Sequence, residues 1–239
     1  MDAQYAAAYP DLYHHHWWWR VREQILLDKI GRLLAPAKNA RILDVGCGAG
    51  LFFDALARFG DVEGIESDAT SAQRNESWRS RIAIGELDAS YTPTAPFDLI
   101  LMLDVLEHVS RADALVERAA AILKPSGRIL ITVPAFDWLW TAHDDMNHHL
   151  KRYTAGELRK MIRDAGLVAI DTHYMFQSLV IPKLLVRAKE SLTGGQPTVP
   201  KIPSPTVNGA LQAWYRAEYS LMRWAPVGSS LMAIAALAR

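Results

Sequence analysis

The sequence predicts an α/β domain, built on a mostly parallel sheet with helices on both faces. Three observations support this prediction. Short apolar runs alternate with segments of helical periodicity, as in 41–45, 97–103 and 111–123. This alternation implies βαβ units with right-handed crossovers. The run at 41–45 stops at glycines, as a buried parallel strand does. We therefore expect residues 1–239 to form one domain.

The elements can be assigned in chain order. Apolar residues at helical spacing predict a helix over 11–35, ended by Pro36 and Asn39. Strands are predicted at 41–45, 62–66, 81–84, 97–103, 128–133, 167–173 and 229–238. Helices are predicted at 50–59, 69–79, 111–123, 154–165 and 210–224, with a loop at 194–209. Thr154 and Glu157 are predicted to form a capping box, and Gly166 to end that helix.

Composition restricts the partners and the compartment. Lys+Arg and Asp+Glu both number 26, so the sequence shows no electrostatic footprint for nucleic acid or anionic lipid. The lone Cys47 excludes an intramolecular disulfide and favours a reducing compartment. The start lacks the features of a signal peptide, and no apolar run reaches the ~20 residues that span a bilayer. We expect a cytoplasmic protein without a transmembrane segment.

An unusual run of three histidines, 14–16, precedes three tryptophans, 17–19. Consecutive residues of a helix point about 100° apart, so the three imidazoles would not share one metal ion well. We assign no metal ligand here.

The strongest functional signal is the glycine-rich segment 42–50, Ile-Leu-Asp-Val-Gly-Cys-Gly-Ala-Gly. Gly46, Gly48 and Gly50 let the backbone approach a ligand at the carboxyl ends of the strands. A dinucleotide fingerprint needs its third glycine at position 51, which here is Leu51. This spacing argues against a nicotinamide-dependent oxidoreductase.

The segment resembles motif I, D-x-G-x-G-x-G, of the class I S-adenosylmethionine-dependent methyltransferases. Residues 97–109 end in V-L-E-H-V and resemble motif IV of the small-molecule members of that superfamily. Residues 124–131 resemble the turn and fifth strand that follow. Two flanking segments, 16–22 and 149–158, also resemble stretches of such enzymes. The resemblance implies a Rossmann-like sheet of seven strands in the order 3-2-1-4-5-7-6, with an antiparallel last strand.

The resemblance also implies a cofactor site for S-adenosylmethionine, whose product is S-adenosylhomocysteine. Glu66 is expected to bind the ribose, with Asp68 as an alternative that is also suited to cap the next helix. Leu87 and Asp88 are expected at the adenine, although Asp88 also fits a loop-capping role. Arg20 would pair with the methionyl carboxylate, or its helix would simply pack on the sheet edge. The complete expected set is Asp44, Gly46, Cys47, Gly48, Gly50, Glu66, Leu87, Asp88, Leu103, Asp104 and Arg20.

Histidines on the acceptor side are the candidate catalytic residues. A hydroxyl nucleophile usually needs a general base, most often His. His108 follows the fourth strand, and His143 and His149 follow the fifth, so all three are expected near the transferred methyl. Their proximity to Asp144 and Asp145 would orient an imidazole. The same residues are also compatible with a metal site or with structural hydrogen bonding, and we assign no metal ligand among them.

The predicted architecture is one methyltransferase domain in three parts. A helical cap covers about 1–38, a cofactor-binding half about 40–135, and an acceptor-side half about 136–239. The last part contains a helical insertion at about 179–226. This insertion is interpreted as a lid, with a dimer interface or an apolar surface for a lipid-linked acceptor as alternatives.

The predicted function is methyl transfer to a small organic acceptor, with oxygen favoured over nitrogen or carbon. A lipid-linked or quinone-like acceptor, which would bring peripheral lipid contact, and a non-catalytic cofactor-binding partner protein are the alternatives. Nucleic acid is disfavoured by the net charge and by Asp104-Val105-Leu106-Glu107, which stands where an N/D-P-P-Y/F tetrad would be expected. The oligomeric state, monomer or homodimer, is left open.

Overall fold

The computed structural model describes residues 3–35, 39–194 and 198–238. Within these residues, seven strands form one sheet in the order β3-β2-β1-β4-β5-β7-β6, which confirms the predicted order. The strands are β1 Ala40–Val45, β2 Gly60–Glu66, β3 Ile82–Ile84, β4 Phe97–Leu103, β5 Leu123–Pro134, β6 Leu167–Met175 and β7 Ser230–Leu237. Strand β7 runs antiparallel to β5 and β6, and the remaining pairs are parallel. The predicted Rossmann-like architecture is therefore confirmed.

Helices cover both faces of the sheet. They are α1 Ala3–His15, α2 Trp17–Leu34, α3 Phe53–Leu56, α4 Ala69–Ala72, α5 Ala112–Ala121, α6 Ala142–Met146, α7 Ala155–Asp164, α8 Val180–Thr193 and α9 Pro205–Met222. Among the helices of the described residues, none is both long and apolar enough to cross a bilayer.

Two apolar clusters form the core because side chains alternate between the faces of each strand. On one face, Leu43 and Ile100 pack with Val116 of α5 and Leu158 of α7. On the other face, the main partners come from α2, α3 and α9. This second cluster includes Ile42, Leu99, Leu101, Val21, Ile30, Phe53 and Tyr215. The core thus leaves the carboxyl ends of the strands open for a site.

The N-terminal region differs from the single helix that was predicted over 11–35. Helix α1 ends at His15, and His16 is the N-cap of α2, where its Nδ1 accepts a hydrogen bond from the Trp18 amide at 3.2 Å. An imidazole that caps a helix competes with continued helical geometry, so the chain bends there. The predicted stop at Pro36 lies outside the described residues, and Asn39 has a left-handed φ of 62°.

Three further boundaries are wrong in the prediction. Helix α3 has only four residues instead of 50–59, because Gly46, Gly48 and Gly50 all have positive φ and keep the preceding loop irregular. Helix α4 also has only four residues instead of 69–79, since the Asn75 side chain accepts from the Ser77 amide and favours a turn. Helix α9 begins within the expected loop, at Pro205, a residue suited to the first helical turn.

The predicted capping box of α7 is present. Thr154 Oγ1 accepts from the Glu157 amide at 3.3 Å, and Glu157 Oε2 accepts from the Thr154 amide at 2.8 Å. Partial burial acts to raise the pKa of Glu157, but hydrogen bonds from Lys151 and Thr154 outweigh it and hold that pKa at about 2. The carboxylate therefore stabilises the fold over most of the pH range.

We expect Glu157→Ala to lower the free energy of unfolding by about 1 kcal/mol at pH 7. The ion pair with Lys151 is half-exposed and adds little. Because folding depresses the pKa, this stability is present above about pH 4.5 and is lost as the pH falls through about 2. Urea denaturation at pH 7 and pH 3 tests this, with exposed Glu117→Ala as the control. An equal loss of unfolding free energy in Glu157→Ala at pH 7 and at pH 3 would contradict this expectation.

Candidate active site

A large cavity opens at the carboxyl ends of β1, β2, β4 and β5. Its volume is about 1790 Å³, which exceeds the roughly 300–1,000 Å³ of an ordinary ligand pocket. Helices α1, α2 and α8 also contribute to the wall, through residues such as Tyr5, Trp18 and Lys183. The cavity is therefore large enough for two ligands side by side.

The glycine-rich turn after β1 forms one wall of this cavity. Gly46 and Gly48 have φ values of 69° and 55°, in the region that side chains disfavour. A Cβ on Gly46 would meet Val105 Cγ2 at 2.8 Å, whereas a Cβ on Gly48 would meet nothing within 4 Å. Asp44, Cys47 and Gly48 line the cavity, while Gly50 packs beside Phe53. The backbone of the turn is therefore accessible at Gly48, where the cavity leaves open space for a ligand.

Glu66, at the end of β2, is directed to this turn. Its Oε2 accepts from the Gly48 amide at 2.9 Å, and its Oε1 accepts from the Asp68 amide at 2.8 Å. Asp68 itself caps α4 by accepting from the Thr70 amide at 3.0 Å, which is the structural role considered for it. Glu66 is thus the acid that both stabilises the turn and faces the cavity.

Asp44 is a buried acid under the same turn. Burial raises the pKa of Asp44 to about 7, an effect that Glu66 increases and Arg22 opposes. A carboxyl in this position gains from a nearby positive charge. A cationic group beside Asp44 would lower this pKa and be attracted by the ionised carboxylate.

Leu87 and Asp88 lie on the cavity wall beyond β3. Leu87 is buried, as an apolar neighbour of a planar ring would be. The exposed Asp88 accepts from the Ser90 amide at 2.8 Å and from the Ser90 hydroxyl at 2.6 Å. The loop-capping role of Asp88 is therefore present, and its position at the cavity leaves the expected ligand contact open as well.

The structure brings Arg22 to the cavity instead of the expected Arg20. Arg20 pairs with Glu23 at 2.8 Å, and Glu23 and Arg22 line the cavity. Arg22 Nη2 binds Asp104 Oδ2 at 2.8 Å and Thr132 Oγ1 at 2.9 Å. The sequence contained a signal for this position. Arg22 lies four residues from both Trp18 and buried Leu26, so the three side chains share one face of α2.

The acceptor end is built by two loops that meet. After β4, Asp104 takes a positive φ of 57° and leads into a short 3₁₀ turn, Leu106–His108. The loop after β5 contains α6, and the Leu150 amide donates to the Glu107 carbonyl at 2.7 Å. This link brings His108 and His149 together, with ring centroids 4.8 Å apart.

His149 belongs to a buried polar network. Its Nδ1 lies 2.8 Å from Asp144 Oδ1, and Arg152 binds both carboxylate oxygens of Asp144 at 2.9 and 2.8 Å. Burial acts to raise the pKa of Asp144, but hydrogen bonds from His149 and Arg152 hold it well below its usual range. Because this carboxylate only accepts hydrogen bonds, Nδ1 carries a proton, and in the neutral imidazole Nε2 then has its lone pair free.

The other two candidate histidines are neutral near pH 7. Partial desolvation at the cavity lowers the pKa of His108 to about 4, assisted by His149, although the residue is exposed to solvent on its other side. Burial also lowers the pKa of His143 to about 4. The His143 Nε2 accepts from the Asn147 amide group at 3.1 Å, so its lone pair is already engaged. All three histidines line the cavity, and His149 has the geometry of a general base.

Glu107 is a further residue that sequence analysis did not assign. It lies between the two histidine loops, is 1% exposed, and neither carboxyl oxygen has a partner among the described residues. Burial raises the pKa of Glu107 well above its usual value, and Asp104 adds to that rise. The sequence signal for Glu107 was its place in the segment V-L-E-H-V, which resembles motif IV.

The 179–226 insertion consists of α8 and α9. Leu179 and Lys183 face the cavity, whereas α9 packs on α2, where Tyr215 stacks on Trp17 with centroids 4.6 Å apart. Apolar side chains also face outwards. They are Ile181, Leu184, Leu185, Val186 and Leu192 on α8, and Val207, Trp214, Leu221 and Met222 on α9.

The strand order, the antiparallel β7, the glycine turn after β1 and the acid ending β2 together define a class I S-adenosylmethionine-dependent methyltransferase fold. Residues 18–172, more than half of the chain, match a family described as the methyltransferase domain. The chain belongs to that family.

Comparison with individual proteins agrees with this assignment. The chain is 32% identical over 117 residues to the ubiquinone biosynthesis O-methyltransferase of Rhodopseudomonas palustris strain TIE-1, covering 46% of each protein. It is 38% identical over 118 residues to that of Xylella fastidiosa, covering 45% of this chain and 47% of the relative. The chain thus matches about half the length of these curated relatives.

Solved structures support the fold alone. A SAM-dependent methyltransferase from Archaeoglobus fulgidus gives a TM-score of 0.58 at 18% identity, covering 89% of this chain and 93% of that one. A putative sarcosine dimethylglycine methyltransferase from Galdieria sulphuraria gives 0.59 at 16% identity, covering 90% and 84%.

Proposed function

We propose that this chain transfers a methyl group from S-adenosylmethionine to a hydroxyl group of a small organic acceptor. The observation that carries the proposal is the His149–Asp144 pair at 2.8 Å, placed in the same cavity as the glycine turn. An imidazole oriented by a carboxylate is suited to accept a proton from a hydroxyl.

Residues on the β1–β2 side fit the cofactor. Gly46, Cys47 and Gly48 would cradle its methionine and ribose parts, and Glu66 would accept from the ribose hydroxyls. Asp44 would compensate its positive charge. Arg22, in place of Arg20, lines the cavity, and an N–H group other than those of Nη2, which Asp104 and Thr132 hold, would bind the carboxylate. Leu87, Asp88 and Leu103 complete this wall. When bound, the cofactor supplies a methyl group already activated on a sulfonium, with a neutral thioether as leaving group.

The chain itself supplies alignment and proton removal. Holding two reacting groups in near-attack geometry contributes roughly 7–11 kcal/mol to a transfer of this kind. His149 Nε2 takes the proton of the acceptor hydroxyl, and the resulting imidazolium is stabilised by the ionised Asp144. His108 and His143 surround the acceptor as neutral polar groups.

A second candidate acceptor is a lipid-linked or quinone-like molecule. The outward apolar side chains of α8 lie beside Lys183 on the cavity wall, so a hydrocarbon tail could leave the site along this helix. The relatives named for ubiquinone biosynthesis favour the same class. The ring hydroxyl would then be the methylated group.

Methyl transfer can be measured directly with S-adenosylmethionine carrying a labelled methyl group. We expect label on the oxygen of phenolic acceptors, with a lower KM for those carrying an alkyl tail if the second candidate is correct. Cofactor binding without label on any acceptor would instead indicate a non-catalytic binding protein. Nicotinamide dinucleotide binding by calorimetry would contradict the cofactor assignment itself.

A further inference from the structure

Three potential metal ligands converge at the acceptor end of the cavity. Glu107, His108 and His149 each offer one ligand atom, and these atoms all lie within 4.8 Å of one another. All three residues line the cavity, so a bound ion would be accessible to an acceptor. The two imidazole rings meet at an interplanar angle of 75°, so they approach the common point from different directions instead of stacking.

Glu107 provides an independent sign that a ligand belongs here. Its side chain is 1% exposed, yet neither Oε1 nor Oε2 has a hydrogen-bond partner among the described residues. Buried polar groups are almost always satisfied, and a buried carboxyl without a partner is costly. A cation between Glu107 and the histidines would satisfy the carboxylate oxygen that faces them.

His149 is already oriented as a metal ligand. Its Nδ1 donates to Asp144 Oδ1 at 2.8 Å, which leaves Nε2 for coordination. Carboxylate–histidine–metal arrangements of this kind fix the tautomer and the ring plane. Arg152 holds Asp144 in turn through two hydrogen bonds, so the support for the ligand is in place before any ion binds.

We propose that Glu107, His108 and His149 bind one divalent first-row transition-metal ion, with open coordination positions facing the cavity. Two imidazoles and one carboxylate suit Zn²⁺, Mn²⁺, Fe²⁺ or Co²⁺, whereas Mg²⁺ prefers oxygen ligands. Sequence analysis left a metal site among the histidines open but assigned no ligands, because it did not bring Glu107 to them.

The site needs only a small adjustment to bind an ion. Ligand atoms about 2.1 Å from a tetrahedral ion lie about 3.4 Å apart, so each pair would close by at most about 1.4 Å. His108 is exposed, and rotation of its side chain supplies this movement.

The ion would deepen the proposed function, and this part of the inference rests on that function. An acceptor oxygen bound to the ion has a lowered hydroxyl pKa, and its proton leaves to water. The new oxygen–carbon bond then forms as the sulfur–carbon bond breaks, which releases the neutral thioether. In the metal-loaded chain, His149 would hold the ion that activates the hydroxyl, so a loss of turnover in His149→Ala is expected with or without the ion.

Metal binding can be tested without any acceptor. The chain is stripped with a chelator and titrated with Co²⁺ alone, followed by visible absorption and calorimetry. We expect one Co²⁺ per chain, displaced by Zn²⁺ and unaffected by Mg²⁺. Glu107→Gln and His149→Ala should each weaken Co²⁺ binding by at least about tenfold. His148→Asn is the control, because His148 is an exposed neighbour with a φ of 57° that Asn tolerates.

Equal Co²⁺ affinity in the wild type and Glu107→Gln would overturn the metal site. Circular dichroism of Glu107→Gln excludes loss of folding as the cause of weaker binding. The methyl-transfer assay separates the two proposals. Site-specific Co²⁺ binding without methyl transfer supports the metal site and contradicts the proposed function. Methyl transfer by a chain that binds no Co²⁺ supports the proposed function and contradicts the metal site.

Discussion

His149→Ala is expected to lower the turnover number of methyl transfer by about 10²–10⁴-fold, the usual contribution of a general base. The His149 imidazole lines the cavity, and its Nε2 lies on the far side of the ring from the nitrogen that contacts Asp144. The effect should appear in kcat, since His149 lies on the acceptor side and away from the glycine turn. Cofactor affinity should stay within about twofold of the wild-type value.

The measurement is a steady-state assay with labelled cofactor, together with calorimetry of cofactor binding. His148→Asn, one residue away and exposed, should retain wild-type kcat. His143→Ala should have a smaller effect, because the His143 lone pair is engaged by Asn147. Full turnover by His149→Ala would remove the proposed base.

Glu66→Ala is expected to weaken S-adenosylmethionine binding by about 100-fold. The substitution removes the acceptor for two ribose hydroxyls and also the bond from Glu66 Oε2 to the Gly48 amide. Hydrogen bonds to a charged group contribute about 1.5–3 kcal/mol each, so losing two corresponds to 10²-fold or more.

Calorimetric titration with S-adenosylmethionine tests this expectation, and circular dichroism verifies the fold. Glu66→Gln should recover part of the affinity, because an amide oxygen still accepts from Gly48. Asp68→Asn is the matched control, since Asp68 caps α4 and Asn is an equally good N-cap. Unchanged affinity in Glu66→Ala would exclude it from the cofactor site.

The sequence was sufficient for the parts of the site that depend on local chain geometry. Gly46, Gly48 and Glu66 follow directly from a buried strand, its turn and the end of the next strand. The sheet order could be given only through the resemblance to a known superfamily, because strand pairing is a long-range property. The capping box of Thr154 and Glu157 was visible because both partners are three residues apart.

The remaining errors have physical causes. Arg20, and not Arg22, was assigned to the cofactor carboxylate because the sequence does not show which way each side chain points. That direction depends on where α2 begins, and the break at His16 sets that start. The buried pair of Asp144 and Arg152 joins positions within an irregular loop, where no periodicity indicates contact. Glu107 was overlooked because burial without a partner is recognisable only in three dimensions.

The contact at Gly46 has a consequence for the precision of the reaction. Any side chain there would collide with Val105, so the turn that holds one substrate rests directly against the loop that holds the other. The Gly46 backbone packs against the Val105 side chain, and close-packed groups of this kind resist compression. If the two loops hold the two substrates as proposed, this contact would limit how far the reactants can separate, and enlarging position 46 should misalign them even where both still bind.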